Sequence, residues 1–273
     1  NDDNLPRFLT AKGRCATAFL EGIVTKGVGG FYYVEAADTV YECRARGIFR
    51  KEGLTPVAGD AVRISVLSDG SGWVEEIAPR KNILVRPPVA NLDLLAVVVS
   101  VAEPSPNLAV IDKMLAVAEI NDIEAVIVIA KTDLQAAERL EAIYTLAGVT
   151  VLAVSALDGT GLDPLREKLS GKVSAFTGNS GVGKSSLLNA LDPSLTLETG
   201  EISHKLGRGR HTTRTAELFH LSFGGHIVDT AGFSSLELAR VQRITAEQLP
   251  FCFREFTPYT ERCRFSSCSH TVE

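Results

Sequence analysis

Cysteine, methionine and tryptophan are scarce in this sequence, which has five, one and one of them among 273 residues. So few cysteines, unevenly placed, exclude a disulfide scaffold. Long apolar runs are also lacking, because the longest, such as Leu94–Val99 and Ala125–Ala130, have strand length and fall well short of a membrane span. The stretch Asn1–Asn4 has no basic segment leading into an apolar one, so we expect no secretion signal. We therefore expect a cytoplasmic protein without membrane contact.

An excess of basic charge is lacking as well. The chain has 28 Lys and Arg residues and 33 Asp and Glu residues, so its net charge is −5. This balance argues against a protein that coats nucleic acid indiscriminately. Two local basic clusters remain, one at Arg44, Arg46, Arg50 and Lys51 and one at Lys205, Arg208, Arg210 and Arg214. Each cluster is compatible with a solvated face or with a local contact to an anionic partner.

The apolar content, 45%, is sufficient for a hydrophobic core, and the length suits two or three domains. Residues 1–85 contain four or five short alternating segments, such as Phe31–Val34 and Asp60–Val66, separated by Gly and Asp turns. This spacing predicts a small β-barrel, either OB-like, which we favour, or SH3-like. The residues before Cys15 are expected to be disordered. Such a barrel can bind RNA or act as a spacer.

Residues 86–236 have a different hydrophobic pattern, in which fully apolar predicted strands alternate with predicted amphipathic helices. The predicted strands are Leu92–Val101, Ala125–Ala130, Val149–Val154 and Lys172–Thr177, followed by a hairpin of Ala216–Phe223 and His226–Asp229. Strands of this kind predict a parallel sheet covered by helices on both faces. We therefore predict an α/β domain here.

A glycine-rich segment, Gly178–Ser185, fits the pattern G-x-x-x-x-G-K-[ST] between a predicted strand and a predicted helix. Its backbone N–H groups would surround phosphate oxygens. Lys184 would bind the β- and γ-phosphates and assist catalysis, and the Ser185 hydroxyl would bind Mg²⁺. The predicted nucleotide contacts are Gly178, Asn179, Ser180, Gly181, Val182, Gly183, Lys184, Ser185 and Ser186.

The choice of base depends on the segment Ala130-Lys131-Thr132-Asp133, which resembles the guanine-specificity motif [NT]-K-x-D. The Asp133 carboxylate would accept hydrogen bonds from guanine N1–H and the exocyclic amine, which adenine cannot offer. Lys131 would lie across the base, and Ser155-Ala156 resembles the companion motif that meets guanine O6. Ala130 stands where the motif has Asn or Thr. We therefore expect this loop to lack one side-chain hydrogen bond to the phosphate loop, which weakens nucleotide binding. The alternative is an exposed turn without a ligand.

The last nucleotide motif is Asp229-Thr-Ala-Gly232, which fits D-x-x-G at the end of an apolar strand. Asp229 would reach the metal through water, and the Gly232 N–H would meet the γ-phosphate. In this chain the base-recognition motifs precede the phosphate loop, whereas ordinary GTPases have the reverse order. If the termini of an ordinary GTPase are joined and its chain is opened elsewhere, the same sheet results. The sequence therefore predicts a circularly permuted GTPase.

A glycine-rich segment ending in Arg210-His211-Thr212-Thr213 precedes the hairpin and is predicted to be the switch loop. Either Thr212 or Thr213 would bind Mg²⁺ and the γ-phosphate, and we assign Thr213 to the metal. Phe233 follows Gly232 where many GTPases have a water-orienting glutamine. We therefore expect slow intrinsic hydrolysis that uses His211 or a group from a partner.

The segment 237–273 contains Cys263-x₄-Cys268-x-His270, a cluster of three ligands of the type that binds zinc. A structural zinc site needs four ligands. Cys252 is flanked by phenylalanines and is expected in a core instead, so we expect the fourth ligand to lie beyond the sequence given. Free surface cysteines are the alternative.

Taken together, these motifs resemble the bacterial ribosome small subunit-dependent GTPase A family over nearly the whole chain from Cys15. The resemblance implies an OB barrel, a permuted GTPase domain and a zinc-binding segment. It implies hydrolysis of GTP to GDP and phosphate, stimulated by the small ribosomal subunit during its late maturation, with rRNA contacts from the flanking domains. It also implies that His211 acts in hydrolysis. Ala231 departs from the family pattern, which usually has Pro.

Two other functions fit parts of the same pattern. The first is a nucleotide-gated switch that binds RNA or the ribosome and hydrolyses little GTP by itself. The second is an ATP-dependent small-molecule kinase, which Asp133 argues against because it would select guanine. We expect a monomer.

Overall fold

The computed structural model of the protein describes residues 8–9, 15–47, 49, 53–85, 87–195, 216–228 and 244–260. These residues form two units. The first contains the described residues through Asn91 together with 216–218, and the second contains the remainder. The first unit extends to Asn91 rather than ending at 85, because two short strands (β7, Ile83–Val85, and β8, Pro88–Ala90) pair with each other and the Ala90 N–H donates to the Ala58 carbonyl.

The first unit is a closed barrel. Its strands are β1 (Phe8–Leu9), β2 (Cys15–Val28), β3 (Phe31–Ala36), β4 (Thr39–Ala45), β5 (Ala61–Leu67) and β6 (Gly72–Ile77). The order is β1-β2-β3-β4-β6-β5, and β5 also pairs with β2, so five strands close into a barrel in which only β4 and β6 are parallel. This arrangement confirms the OB-like barrel. Before Cys15, the described residues Phe8–Leu9 pair with Ala16 and Cys15.

Side chains of the barrel strands alternate between the core and the outer face. Val24, Val34, Cys43, Ile64 and Val74 are completely buried. Burial raises the pKa of the Cys43 thiol to about 12. This cysteine therefore packs as a small apolar side chain and is not a reactive thiolate.

A buried ion pair between Asp60 and Arg80 fixes the chain just before β5. Asp60 is completely buried, and its two carboxylate oxygens accept hydrogen bonds from Arg80 Nε and Nη2, each at 2.7 Å. The Val57 N–H donates to Asp60 at 2.8 Å, and Arg80 also donates to the Thr55 carbonyl at 2.8 Å. The hydrogen bond with Asp60 raises the pKa of Arg80. The pair therefore joins the loop before β5 to the segment after β6.

The second unit is a sheet covered by helices. Its elements are β9 (Leu94–Ser100), α1 (Leu108–Ile120), β10 (Glu124–Ala130), α2 (Glu138–Leu146), β11 (Thr150–Ala153), α3 (Leu162–Leu169), β12 (Val173–Thr177), α4 (Lys184–Leu191), β13 (Leu218–His220) and β14 (His226–Val228). The strand order is β11-β10-β9-β12-β14-β13, and β11, β10, β9, β12 and β14 run parallel. All seven residues of β9 are buried, as expected for a central strand with helices on both faces. The predicted α/β architecture is confirmed.

A short helical segment follows at residues 244–260. It consists of 3₁₀ turns at Leu249–Cys252 and Arg254–Phe256 and a short helix, α5 (Thr257–Thr260). Arg254 Nε donates to Glu119 of α1 at 2.8 Å, and Cys252 is buried as predicted. Among the described helices, none combines the length and apolarity needed to cross a membrane.

Candidate functional site: a phosphate loop joined to a base-recognition loop

Three loops of the second unit follow neighbouring parallel strands at the same edge of the sheet. The loop after β10 begins at Lys131, the loop after β11 contains Ser155, and the loop after β12 begins at Gly178. The carboxyl ends of parallel strands lie on one edge, where ligands bind in open α/β sheets. The sheet therefore assembles motifs that are up to fifty residues apart in the chain.

Glycine backbone geometry shapes the loop between β12 and α4. Gly181 and Gly183 have φ angles of 82° and 102°, which side chains other than glycine rarely adopt. A Cβ atom at Gly178 would lie 2.3 Å from the carbonyl oxygen of Val98. Gly183 is the N-cap of α4, and no side chain caps this end of the helix. The loop thus places an uncapped helix N-terminus, which attracts anions, beside its own backbone N–H groups.

The Lys184 ammonium lies within the same loop. Its Nζ donates to the carbonyl oxygens of Gly178 at 2.7 Å and Asn179 at 2.8 Å. Burial lowers the pKa of Lys184. The cation is therefore positioned by the backbone of the phosphate loop, at the start of α4.

Lys131 joins the base-recognition loop to the phosphate loop. Its Nζ donates to the carbonyl of Gly181 at 2.8 Å and to the carbonyl of Glu103 at 2.6 Å. Its backbone has a φ of 65°, which turns the chain sharply after β10. Ala130 has no polar side chain for such a tie, so Lys131 provides the connection between the two loops. The contact with Glu103 was not predicted, because a carbonyl acceptor leaves no signal in the sequence.

Asp133 is held by a buried serine from the next loop. Ser155 is completely buried, and its Oγ donates to Asp133 Oδ1 at 2.8 Å. The same Oγ accepts hydrogen bonds from the N–H groups of Leu157 at 3.2 Å and Asp158 at 3.3 Å. Asp133 Oδ2 accepts no hydrogen bond from the described residues. The carboxylate is therefore anchored through one oxygen and retains the other as an acceptor.

The loop that carries Ser155 and Ala156 is closed by its own hydrogen bonds. Ser155 N–H donates to the Thr160 carbonyl at 2.9 Å, and Thr160 N–H donates to Asp158 Oδ1 at 2.9 Å. The hydrogen bond from Thr160 lowers the pKa of Asp158. A Cβ at Gly161 would lie 2.1 Å from a carbonyl oxygen of β11, so this position requires glycine. Asp158 and Gly161 support the loop and were not singled out in the sequence.

Asp192 links the helix of the phosphate loop to the β13–β14 hairpin. Its side chain is 1% exposed and accepts hydrogen bonds from the N–H and Oγ of Ser194 and, at 2.6 Å, from the N–H of Ser222. Burial alone would raise the pKa of Asp192, but the hydrogen bonds from Ser194 and Ser222 outweigh it and lower the pKa. Strand β14 of that hairpin ends at Val228, directly before Asp229. Sequence reasoning missed Asp192 because its partner lies thirty residues away.

The structure therefore brings several predicted nucleotide contacts together. These are the phosphate-loop residues 178–186 and, from the two base-recognition loops, Lys131, Asp133, Ser155 and Ala156. Other predicted residues lie outside the described part of the chain: His211, Thr212, Thr213, Asp229, Gly232, Cys263, Cys268 and His270.

A phosphate loop between a parallel strand and a helix, joined to a Lys-x-Asp loop that precedes it in the chain, defines the class of circularly permuted P-loop GTPases. Models of two protein families match the chain. The model described as RsgA GTPase matches residues 77–239, and the model described as RsgA N-terminal domain matches residues 21–74.

Curated relatives and solved structures agree with this class. The chain is 45% identical over 257 residues to the small ribosomal subunit biogenesis GTPase RsgA of Caldanaerobacter subterraneus subsp. tengcongensis, covering 93% of this chain and 86% of the relative. It is 46% identical to the protein of the same name from Alkaliphilus metalliredigens, with 93% and 87% covered.

Solved structures show the same similarity. The crystal structure of YjeQ from Thermotoga maritima has a TM-score of 0.79 at 38% identity, with 94% of this chain and 88% of that chain covered. The structure described as YloQ, a circularly permuted GTPase, has a TM-score of 0.76 at 35% identity, with 94% and 86% covered. The chain belongs to the RsgA GTPase family, and it is a GTP-hydrolysing enzyme. The family predicted from the motifs is confirmed.

Proposed function

We propose that the three loops of the second unit bind GTP and GDP, with Asp133 selecting guanine. The observation that carries this proposal is the Lys131 side chain, whose Nζ lies 2.8 Å from the Gly181 carbonyl. One side chain thereby fixes the distance between the base-recognition loop and the phosphate loop. A ligand that spans both loops must have a base at one end and phosphates at the other.

Asp133 has the chemistry for guanine recognition. A carboxylate accepts hydrogen bonds from guanine N1–H and the exocyclic amine together, and such charge-assisted pairs discriminate strongly between bases. Ser155 holds one carboxylate oxygen before any base binds. Ala156 lies in the tightly closed neighbouring loop, where its N–H would meet guanine O6. This preorganisation lowers the cost of ordering the site on binding.

The phosphate end has a donor set that fits both the nucleotide and Mg²⁺. The backbone N–H groups of 178–186 and the Lys184 ammonium suit phosphate oxygens. Hydroxyl and carboxylate oxygens are the ligands that Mg²⁺ prefers, and we assign Ser185 and Thr213 as direct ligands and Asp229 as a ligand through water. Mg²⁺ held by these residues would neutralise charge on the phosphate oxygens. Gly232 would donate its N–H to the γ-phosphate.

Hydrolysis needs a group that orients water, and the side chain of Phe233 has no polar atom for this purpose. We assign this role to His211, with Thr212 or Thr213 binding the γ-phosphate. These residues belong to one glycine-rich segment, so their arrangement would depend on a partner that orders the segment. Intrinsic turnover would then be slow, and the partner would accelerate it.

The partner that we assign is the small ribosomal subunit, acting in the cytoplasm during late subunit maturation. Support comes from relatives at 45% and 46% identity whose names describe small ribosomal subunit biogenesis. The barrel and the C-terminal segment would contact rRNA. In that segment Cys263, Cys268 and His270 have the donor chemistry for zinc, together with a fourth ligand not yet assigned. The protein would act as a monomer.

Release of phosphate from GTP, measured with and without purified small ribosomal subunits, tests this proposal. We expect the protein alone to turn over GTP slowly and the protein with subunits to turn it over much faster. Lys184→Ala should abolish both activities. His211→Ala should lose the stimulated rate and retain nucleotide binding. Stimulation that is unchanged in His211→Ala would refute the role of His211. If subunits bind in a GTP-dependent way without faster hydrolysis, the protein is a nucleotide-gated binding switch instead.

A further inference from the structure

A partly buried ion pair joins barrel strand β2 to the residues that lead into β13. Lys26 Nζ donates to both carboxylate oxygens of Glu217, at 3.0 and 2.9 Å, and the two residues also form an antiparallel β-bridge. Their side chains are 34% and 25% exposed, so solvent screens this pair less than a fully exposed one. Because the contact uses both backbone and side chains, it fixes the position of Glu217 on the barrel.

A β-bulge in β2 turns Lys26 toward this contact. Val24 pairs with Val34 of β3 and Lys26 pairs with Tyr33, so Thr25 is the extra residue. Side chains alternate along a strand, and without the bulge Lys26 would point into the core as the buried Val24 does. Bulges that redirect a side chain in this way are frequent next to functional sites.

The edge of β2 that Glu217 occupies is the edge that β5 leaves open. The ladder between β2 and β5 ends at Ile23 opposite Ala61. Strand β3 lies along the opposite edge, so Glu217 takes the place of β5 further along β2. Residues 216–218 thereby belong to the first unit, and the chain enters the second unit at Phe219.

Glu217 lies close in sequence to the predicted switch loop. Thr213 precedes Glu217 by four residues and His211 precedes it by six. An extended chain spans at most about 3.5 Å per residue, so Thr213 must lie within about 14 Å of Glu217 and His211 within about 21 Å. A fixed end therefore reduces the conformational entropy that is lost when these residues reach the γ-phosphate.

We propose that Lys26 is a positioning residue for GTP hydrolysis, which acts by holding Glu217 and with it the C-terminal end of the switch loop. This inference rests on the roles proposed above for His211 and Thr213. Lys26 contacts neither the nucleotide nor the attacking water in this role. An ion pair that only stabilised the barrel would leave the kcat of the folded protein unaltered.

The test measures kcat for GTP with and without purified small ribosomal subunits, with each rate divided by the concentration of GDP-binding sites. Lys26→Met should lower kcat about fivefold in both conditions, the size expected for one ion pair of this exposure. Glu217→Gln should lower it equally, because it removes the same pair from the other side. The affinity for GDP should stay within twofold, since GDP has no γ-phosphate for the switch loop to contact.

Two further variants separate positioning from a general effect of charge. Lys26→Arg should retain most of the turnover, because arginine keeps the charge and can donate to the same carboxylate. The matched control is Arg63→Met, which removes a barrel cation paired with Glu76 and should keep kcat within twofold. Unaltered kcat in Glu217→Gln, or an equal loss in Arg63→Met, would overturn the proposal. The first of these results would indicate that Lys26 acts through a partner rather than through Glu217.

Hydrogen exchange of the amides of residues 216–218 tests the anchor without GTP or subunits. Exchange should be faster in Lys26→Met than in the original chain and unchanged in Arg63→Met. Unchanged exchange in Lys26→Met would also overturn the proposal.

The same measurements distinguish this inference from the proposed function. If subunits fail to stimulate the original chain, the proposed function fails, and the intrinsic kcat of Lys26→Met still decides the role of Lys26. If subunits stimulate the original chain and Lys26→Met has unaltered kcat in both conditions, the role of Lys26 fails alone.

Discussion

Replacing Ser155 by alanine removes one hydroxyl from beneath the base-recognition loop. Ser155 Oγ donates to Asp133 at 2.8 Å and accepts from the N–H groups of Leu157 and Asp158 at 3.2 and 3.3 Å. Ser155→Ala leaves Asp133 without its anchor and the two N–H groups without this acceptor. The alanine fits the same space, so packing changes little.

The expected magnitude follows from the charged partner. A hydrogen bond to a charged group is worth about 1.5–3 kcal/mol, and the two longer contacts add little. Because each 1.4 kcal/mol is a factor of ten, the dissociation constant for GDP should rise by about tenfold to a hundredfold. The loss is expected in nucleotide binding because Asp133 must then be oriented at the moment of binding.

The assay is a titration with a fluorescent GDP analogue, together with thermal unfolding of the free protein. Ser65→Ala is the matched control. Ser65 is also completely buried and donates to a carboxylate, Glu75, at 2.6 Å, but it lies in the barrel. We expect Ser65→Ala to change stability and leave GDP affinity within twofold. Equal effects of the two variants on GDP affinity would refute the assignment of Ser155 as the anchor of Asp133.

Other predictions concern single side chains within each of the two units. Arg80→Met leaves the buried Asp60 carboxylate unpaired and should lower the free energy of unfolding in urea by about 3–5 kcal/mol, whereas Arg63→Met, at an exposed ion pair, should cost under about 1 kcal/mol. Because the folded-state pKa of Asp192 is lowered, its stabilising effect is present above the unfolded pKa and is lost as the pH falls through the folded value. The difference in unfolding free energy between the original chain and Asp192→Asn should therefore narrow below about pH 4, and a constant difference would contradict the lowered pKa. Gly178→Ala, whose Cβ would meet a carbonyl oxygen at 2.3 Å, should abolish GDP binding in the same titration, and retained binding would contradict the packing of the loop.

Much of the fold could be predicted because buried parallel strands leave a strong signal. The predicted strand Ala125–Ala130 differs from β10 by one residue, and the predicted Lys172–Thr177 differs from β12 by one residue. An apolar run of strand length between turns has few alternatives when helical patterns separate the runs. The location of the nucleotide site followed from the ends of these strands.

Helix ends are harder to predict than strands, because local hydrogen bonds decide them. Helix α2 begins at Glu138, where no side chain caps it. Helix α4 begins at Lys184, within the phosphate motif, since Gly183 can adopt the left-handed N-cap conformation.

Contacts in the site that involve backbone carbonyls or distant partners left no pattern in the sequence. The Glu103 carbonyl that accepts from Lys131 is one example, and Asp192 with Ser222 is another. The barrel was predicted as a class from its alternating strands. The pairing of Lys26 with Tyr33 and Glu217 depends on register, which the sequence alone does not specify.

The most direct test of how this protein selects its nucleotide is to measure whether Asp133→Asn binds guanine or xanthine nucleotides more tightly. Xanthine has an oxygen where guanine has the exocyclic amine, and the asparagine amide can donate to that oxygen. We predict that GDP affinity falls by roughly a hundredfold, while the affinity for xanthosine diphosphate rises so that the preference reverses. An unaltered preference for GDP would show that Asp133 does not contact the base.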